Sequence, residues 1–335
     1  MFHRAAIVLA CIAAIVLVTP AHAQKNTVVR MGTPALGLWM LPLLVGQDKG
    51  FFEKEGLEVK INYMRGGSEA AAALIGGNVD VMSGALSGVL ILRAKGAPVQ
   101  ALCAIAGVRS FALVVDAKRH AKVTDIHQIK GMKIATSRRG SDGDLVMRTL
   151  LADANLSPEK DVTLIQIGGY DNHLRAIEKG EIDGAMILEP FLTIGAKRGI
   201  IKPVLSLMAG QGPESLIKRI WTAVSTTETF VKQKPKIAEG LVRAIANAVK
   251  YIDTNEQGTV EVARKHFPKM DPAVLSEIVK SNVHVKRGRG FLAEISPESI
   301  DLENKFLVAE KLIPAPESYK DVVATGMSQY WRASN

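Results

Sequence analysis

The sequence predicts an α/β protein made of two similar lobes that enclose a ligand cleft. Two observations point to it. Strand-like and helix-like patterns alternate along most of the chain, as expected for largely parallel sheets with helices on their faces. In addition, one helix–turn–strand segment recurs without a gap at an offset of 103 residues. Gly66, Leu74, Gly77, Asp80 and Met82 match Gly169, Ile177, Gly180, Asp183 and, loosely, Ala185. Each copy reads as a helix-capping residue (Ser68, Asp171), an amphipathic helix, a closing glycine and a strand opened by Val or Ile before Asp. Chance likeness of two such units is the alternative. The period is far too long for a solenoid.

Taken in order, Thr27 to Met31 is extended and β-branched, and Trp39 to Phe52 has helical spacing and ends in Lys49-Gly50. Leu57 to Tyr63 alternates apolar and polar residues as a half-buried strand does. Ser68 to Ile75 is Ala-rich and helical, Gly76-Gly77 closes it, and Val79 to Met82 is a short strand. A helix is expected over Gly143 to Ala154 and an apolar strand over Ala185 to Leu188. Past Trp221 the pattern changes: Trp221 to Ser225 reads as one strand and most of the remainder as helix. Lys236 to Ile252 carries Ile237, Leu241, Ile245 and Val249 on one face. The expected division is residues 1–23 as an export signal, 24–109 as the first part of one lobe and 110–220 as the other. Residues 221–335 then return to the first lobe. The chain would cross near Ser110 to Val115 and Trp221 to Thr227, a natural hinge.

The signal reading rests on Arg4, the apolar run Ala5 to Val18, and Ala21-His22-Ala23, with cleavage after Ala23. That run is too short for a membrane span, which needs roughly 20 residues. Lipidation at Cys11 is the alternative, but the apolar run continues past it. Removing residues 1–23 of the 335 leaves 312, enough for two domains. No later stretch is apolar for long enough to cross a membrane. Cys103 is then the only cysteine, which rules out an internal disulfide, and its apolar neighbours mark a buried structural thiol. The signal carries one arginine and no acid, so the net charge falls from +9 to +8 on cleavage. An exported basic chain rarely meets nucleic acid, and Lys286-Arg287-Gly288-Arg289-Gly290 has no interleaved aromatics to stack on bases. It reads as a solvated loop.

Ligands of open α/β sheets sit outside the carboxyl ends of strands, where helix N-termini point. Candidate binding residues follow from that rule. Trp39, after the first strand, can stack on a ligand or pack in the core. Gly66, Gly67 and Ser68 follow the second strand, and Ser83-Gly84 ends a buried one. Thr136, Ser137, Arg138, Gly140, Ser141 and Asp142 lead into a helix, with Arg138 or Arg139 able to pair an anion. Glu189 follows an apolar strand. The competing reading is ordinary helix capping for Ser68, Ser141 and Asp142, and a plain turn for Ser83-Gly84. The histidines at 120, 127, 173, 266 and 284 are scattered, and no metal-ligand spacing, nucleophile elbow or phosphate loop is present. No catalytic residue, metal or cofactor is expected.

Gly46-Gln47-Asp48-Lys49-Gly50-Phe51-Phe52-Glu53-Lys54-Glu55-Gly56-Leu57-Glu58-Val59 resembles the early signature of periplasmic solute-binding proteins of the sulfonate, nitrate, taurine and thiamine-precursor class. Gly77 to Val81, Gly180 to Ala185 and Glu189-Pro190-Phe191 are similar to later family motifs, in the same order. The likeness covers roughly Val28 to Thr226. It implies a type II periplasmic binding fold, a location in the periplasm, and a monomer that passes a small-molecule ligand to an ABC permease of the inner membrane. An alkanesulfonate- or taurine-like anion is the first expectation for the ligand. The runner-up is a flat heterocycle such as a thiamine precursor, which would lean on Trp39. An exported sensor partner is a further alternative. Cytosolic thiamine-pyrimidine synthases resemble the same family, but they use a cysteine-rich motif, a consumed histidine and pyridoxal phosphate. The export signal and the single remaining cysteine argue against that reading.

Overall fold

The structure, a computed structural model, describes residues 26–332 except 35, 65, 108–109, 138, 140–141, 159 and 284–289. The expected signal and its cleavage site therefore lie outside the described residues, as do Arg138, Gly140 and Ser141. The chain opens with β1 (Thr27–Thr33), α1 (Leu41–Asp48), α2 (Phe51–Lys54), β2 (Leu57–Tyr63), α3 (Gly67–Ile75), β3 (Val81–Ala85), α4 (Leu86–Ala94) and β4 (Val99–Ala106). It continues through β5 (Phe111–Asp116), β6 (Lys133–Thr136), α5 (Asp142–Asp153), β7 (Thr163–Gln166), α6 (Tyr170–Glu178), β8 (Gly184–Leu188), α7 (Phe191–Lys197) and β9 (Ile201–Ser206). After α8 (Glu214–Ile217) come β10 (Thr222–Thr227), α9 (Glu228–Gln233), α10 (Pro235–Thr254), α11 (Glu256–His266), α12 (Pro272–Val283) and α13 (Pro297–Ala309).

The strands form two mixed sheets, in the orders β2-β1-β3-β10-β4 and β7-β6-β8-β5-β9. β1 runs parallel to β2 and β3, and β6 runs parallel to β7 and β8. β10 and β5 are the antiparallel members. The fold is α/β, two sheets each flanked by helices. No helix among the described residues is long and apolar enough to cross a membrane.

The 103-residue offset holds in three dimensions. α3 and α6 start and stop at matching positions, and so do β3 and β8. Met31 pairs with Val81, and Ile134 with Gly184, at the same offset. Gly77 and Gly180 close the two helices with φ of 72° and 74°, a conformation that glycine adopts without a Cβ penalty. The caps differ from expectation. The N-caps are Gly66 and Gly169, with no side-chain cap bond, and Ser68 and Asp171 already lie in the first helical turn. The helical stretch ends at Lys49-Gly50 as expected, where Gly50 takes a left-handed φ of 68°, and Phe51–Lys54 forms a separate turn of helix. The strand expected from Val79 begins only at Val81, since Asp80 is held in the turn by Arg30.

Alternation along each strand builds a core on both faces of both sheets. Leu102 packs with Met31, Leu44 and the α10 residues Leu241 and Ile245, whereas its neighbour Ala101 faces Leu90 and the α13 residue Leu307. Ile237 and Val249 are partly buried against the first of these clusters. In β5, Leu113 faces the α5 residues Met147 and Leu150, and Val114 faces the α6 residues Leu174 and Ile177. Cys103 is buried, and burial pushes its thiol far up. Arg219 and Glu303 form a buried two-bond ion pair at 2.5 and 2.8 Å, so α13 fastens the segment entering β10 to the first sheet.

Candidate ligand site

A cavity of about 520 Å³ lies between the two sheets. The first sheet contributes Leu38 and Trp39 after β1, Ala106 at the end of β4, and Trp221 before β10. Facing them are Ser110, Tyr170 at the start of α6, and Leu188 to Phe191 between β8 and α7. Phe267 and Met270, between α11 and α12, and Phe291 complete the wall. The parallel strands β1 and β8 point their carboxyl ends here, as the topology demands.

The wall is aromatic. Trp39 and Trp221 stand 6.5 Å apart, tilted by 51°. Gly37 packs so closely on the Trp39 indole that an added Cβ would lie 2.5 Å from Nε1, so a larger residue there would displace the ring. Tyr170 meets Phe111 at 6.1 Å and His173 at 5.2 Å edge to face, and Phe191 at 6.3 Å. Burial pushes the Tyr170 phenol up to about 12 despite an opposing side-chain hydrogen bond with Ser137, so it is a neutral hydroxyl at physiological pH. Gly143 makes room for that pair: a Cβ would stand 2.8 Å from Ser137 Oγ and 3.2 Å from Tyr170 Oη. His173 is buried with its ring nitrogens 3.1 Å from the Met186 carbonyl and 2.9 Å from that of Ile167, and burial lowers its pKa.

Glu189 is the one ionisable carboxylate among the described residues of this wall. It accepts hydrogen bonds from Thr193 N–H at 3.1 Å and Thr193 Oγ1 at 3.0 Å. Burial, aided by Glu277, raises its pKa against the pull of those bonds. A group so placed accepts an N–H from a ligand or, once protonated, donates to one.

The expected site residues divide. Trp39 and Glu189 line this cavity, and Ser137 backs its tyrosine. Thr136 is buried, its hydroxyl donating to the Ser137 carbonyl at 3.2 Å and to Asp144 at 3.3 Å. Asp142 is the first residue of α5, and Arg139 is exposed. Gly67, Ser68, Ser83 and Gly84 line a second cavity of about 480 Å³ between α3 and α4, and Gly66 caps α3 beside it. Ser83 Oγ is buried there with no hydrogen-bond partner among the described residues. Tyr170, Trp221, Phe191, Phe267, Met270 and Phe291 were not anticipated. The solvated loop expected around residue 288 is corrected at its end: Gly290 is buried, lines the aromatic cavity and accepts from Gly107 N–H at 2.7 Å. Among the described residues, no group of three or more His, Cys, Asp or Glu could hold a metal.

Known proteins share this architecture. The periplasmic aliphatic sulphonate binding protein SsuA from Escherichia coli superimposes with a TM-score of 0.73 at 12% identity, over 91% of this chain and 99% of that one, a likeness of fold. A Bacillus subtilis (strain 168) protein named "Putative binding protein YtlA" is 25% identical over 278 residues, 81% of each chain. The 4-amino-5-hydroxymethyl-2-methylpyrimidine phosphate synthase of Schizosaccharomyces pombe is 32% identical over 149 residues, 44% of this chain and 41% of the enzyme. The model of the NMT1-like family matches residues 22–265, and the chain belongs to that family.

Proposed function

We propose that this protein is the solute-binding component of an ABC-type importer, which captures a flat organic solute, a nitrogen heterocycle of the thiamine-precursor kind, and delivers it to a membrane permease. One observation carries the ligand class: the cavity between the sheets is walled by aromatic rings from both sides, and Glu189 is its one ionisable carboxylate among the described residues. Flat rings gain offset and edge-to-face contacts in such a box, and a ring N–H or amino group supplies the donor that Glu189 can accept. Of the two arginines expected to pair an anion, Arg139 is exposed and Arg138 lies outside the described residues. The partial likeness to a pyrimidine phosphate synthase supports the ring reading, and the family and fold support the binding role. Export rests on Arg4, the run Ala5 to Val18 and the Ala21-His22-Ala23 site. In this reading residues 24–109 with 221–335 form one lobe and 110–220 the other, and ligand draws them together.

Two of the three tryptophans line the cavity, so intrinsic fluorescence reports on it directly. A screen of pyrimidines, aromatic acids, alkanesulfonates and nitrate by fluorescence and thermal shift tests the proposal. A ligand at 100-fold its Kd should add about 2.7 kcal/mol of stability. Quenching and stabilisation by a heterocycle are expected. Stabilisation by sulfonates with no response to any ring would overturn the ligand class.

A further inference from the structure

The aromatic cavity does not end at its rings. A second, mostly apolar recess of about 440 Å³ adjoins it, sharing Leu36, Pro190, Phe191, Phe267 and Met270 and continuing past Ile194 to His266, Pro268 and Lys269. Its walls come from both sides of the cleft: Leu36 follows β1, Ile194 sits on α7, and residues 267–270 join α11 to α12. Leu36 is 42% exposed, unusual for leucine beside a buried site. A contiguous apolar recess left to water is unfavourable in proportion to its area. One that is continuous with a ring-sized cavity has an obvious complement in the rest of the same ligand.

We propose that the recess is an arm subsite, so that the solute is a flat ring carrying an apolar arm that leaves the box between Phe191 and Phe267 and ends in an anionic group near Lys269. This rests on the ring reading of the main cavity and adds shape and charge to it. The ring cavity holds Glu189, which suits a donor, and the recess holds exposed Lys269, which suits an anion. Ile194, His266, Pro268 and Lys269 line the recess and not the ring cavity, and of these Ile194 is the aliphatic one on α7.

The test uses indole, indole-3-acetate and indole-3-butyrate, titrated by calorimetry into the mature protein, its Ile194→Trp variant and its Lys269→Glu variant. Burying a methylene is expected to tighten binding about fourfold, so butyrate should bind roughly 15-fold tighter than acetate in the wild-type protein. Ile194→Trp should abolish that gain while leaving indole itself unchanged. Lys269→Glu should weaken both acids about threefold, the size of an exposed charge pair, and spare indole. If the three ligands bind alike, and alike in both variants, the arm subsite is wrong while the ring box stands. If none of them binds while an alkanesulfonate does, the ring reading and the arm fail together. Lys269→Glu alters only an exposed side chain, so the charge arm of the test survives any folding defect of Ile194→Trp.

Discussion

The segment from Arg30 to Ala85 and the segment from Lys133 to Leu188 have the same backbone plan, yet they agree at one end and diverge at the other. At the amino ends of the central strands the match is close. Asp80 N–H donates to the Arg30 carbonyl at 2.8 Å while its carboxylate accepts Arg30 N–H at 2.9 Å; Asp183 does the same with Lys133, at 2.9 and 2.9 Å. At the carboxyl ends, Ser83-Gly84-Ala85 faces Met186-Ile187-Leu188 as its counterpart, and the first helical residue is Gly67 in one copy and Tyr170 in the other. The aspartate end fixes how strand, helix and strand join. The other end is free of that duty and carries whatever the cleft needs.

The most severe way to break the comparison is to exchange residues in the shared frame. Val81 and Gly184 occupy equivalent positions, and Val81 is fully buried. At Gly184 a Cβ would collide with the Val114 carbonyl and lie 3.0 Å from Ile134 Cδ1. Gly184→Val should therefore cost about 3 kcal/mol or prevent folding, because backbone cannot yield as a side-chain tip can. Val81→Gly should cost about 2–3 kcal/mol from lost burial and added chain entropy. Urea unfolding measures both. A Gly184→Val protein of unchanged stability would mean that the two frames are interchangeable after all.

Next in size are the aspartates themselves. Burial pushes both carboxyls up, but hydrogen bonds outweigh it, from Arg30 on Asp80 and from Lys133 N–H, His120 and Arg119 on Asp183, and hold both below the usual carboxylate range. A depressed folded-state pKa gives stability that is complete above the unfolded value and is lost as pH falls through the folded one. Asp80→Ala and Asp183→Ala should each cost about 2 kcal/mol at neutral pH, with the gap to wild type closing on acidification. The copies part company in the charge partner. Arg30 reaches Asp80 with its own guanidinium at 3.0 Å, whereas Asp183 takes Arg119 and His120, each at 3.0 Å, from the loop after β5. Arg30→Ala should lower the melting temperature and Lys133→Ala should not, since Lys133 meets Asp183 through its backbone.

These shared features were legible because their signals are local. A glycine closing a helix, an aspartate opening a strand and a two-residue alternation each lie within a few positions of one another, and the 103-residue offset needed no gap. Ser68 and Asp171 misled as caps because Gly66 and Gly169 open the helices without a side-chain bond. The aromatic cavity was illegible for the opposite reason. Trp39 was a candidate, but Tyr170, Trp221, Phe267 and Phe291 come from four further separated segments, and each alone looks like core. Only the return of the chain through β10 and the later helices brings them together.

The divergent end offers a smaller but more specific contrast. Tyr170 projects its ring into the cavity, while Gly67 leaves open space where a Cβ would go. Tyr170→Ala should weaken a ring ligand about tenfold, the upper range of an aromatic contact, and Gly67→Ala should leave that affinity unchanged. Equal losses at both positions would show that the two helix starts contribute alike and that the cleft is more symmetric than its lining.

The smallest expected effect has the opposite sign. Ser83 and Met186 are equivalent residues on β3 and β8, both fully buried. Met186 has an apolar side chain and faces Phe111, Leu113 and Met147. The Ser83 hydroxyl sits in the same relative place with no partner among the described residues. A buried hydroxyl without a partner forfeits its hydrogen bonds to water on folding and regains nothing in return. Ser83→Ala removes that oxygen, leaves a space too small for strain, and should raise stability by about 1 kcal/mol without ligand. Urea midpoints at constant slope would read it, since a change in slope would signal an altered unfolded state instead. A loss of stability would mean that Ser83 is already satisfied, by an ordered water in the groove between α3 and α4. The two copies would then match at this end in hydrogen bonding, though not in residue type.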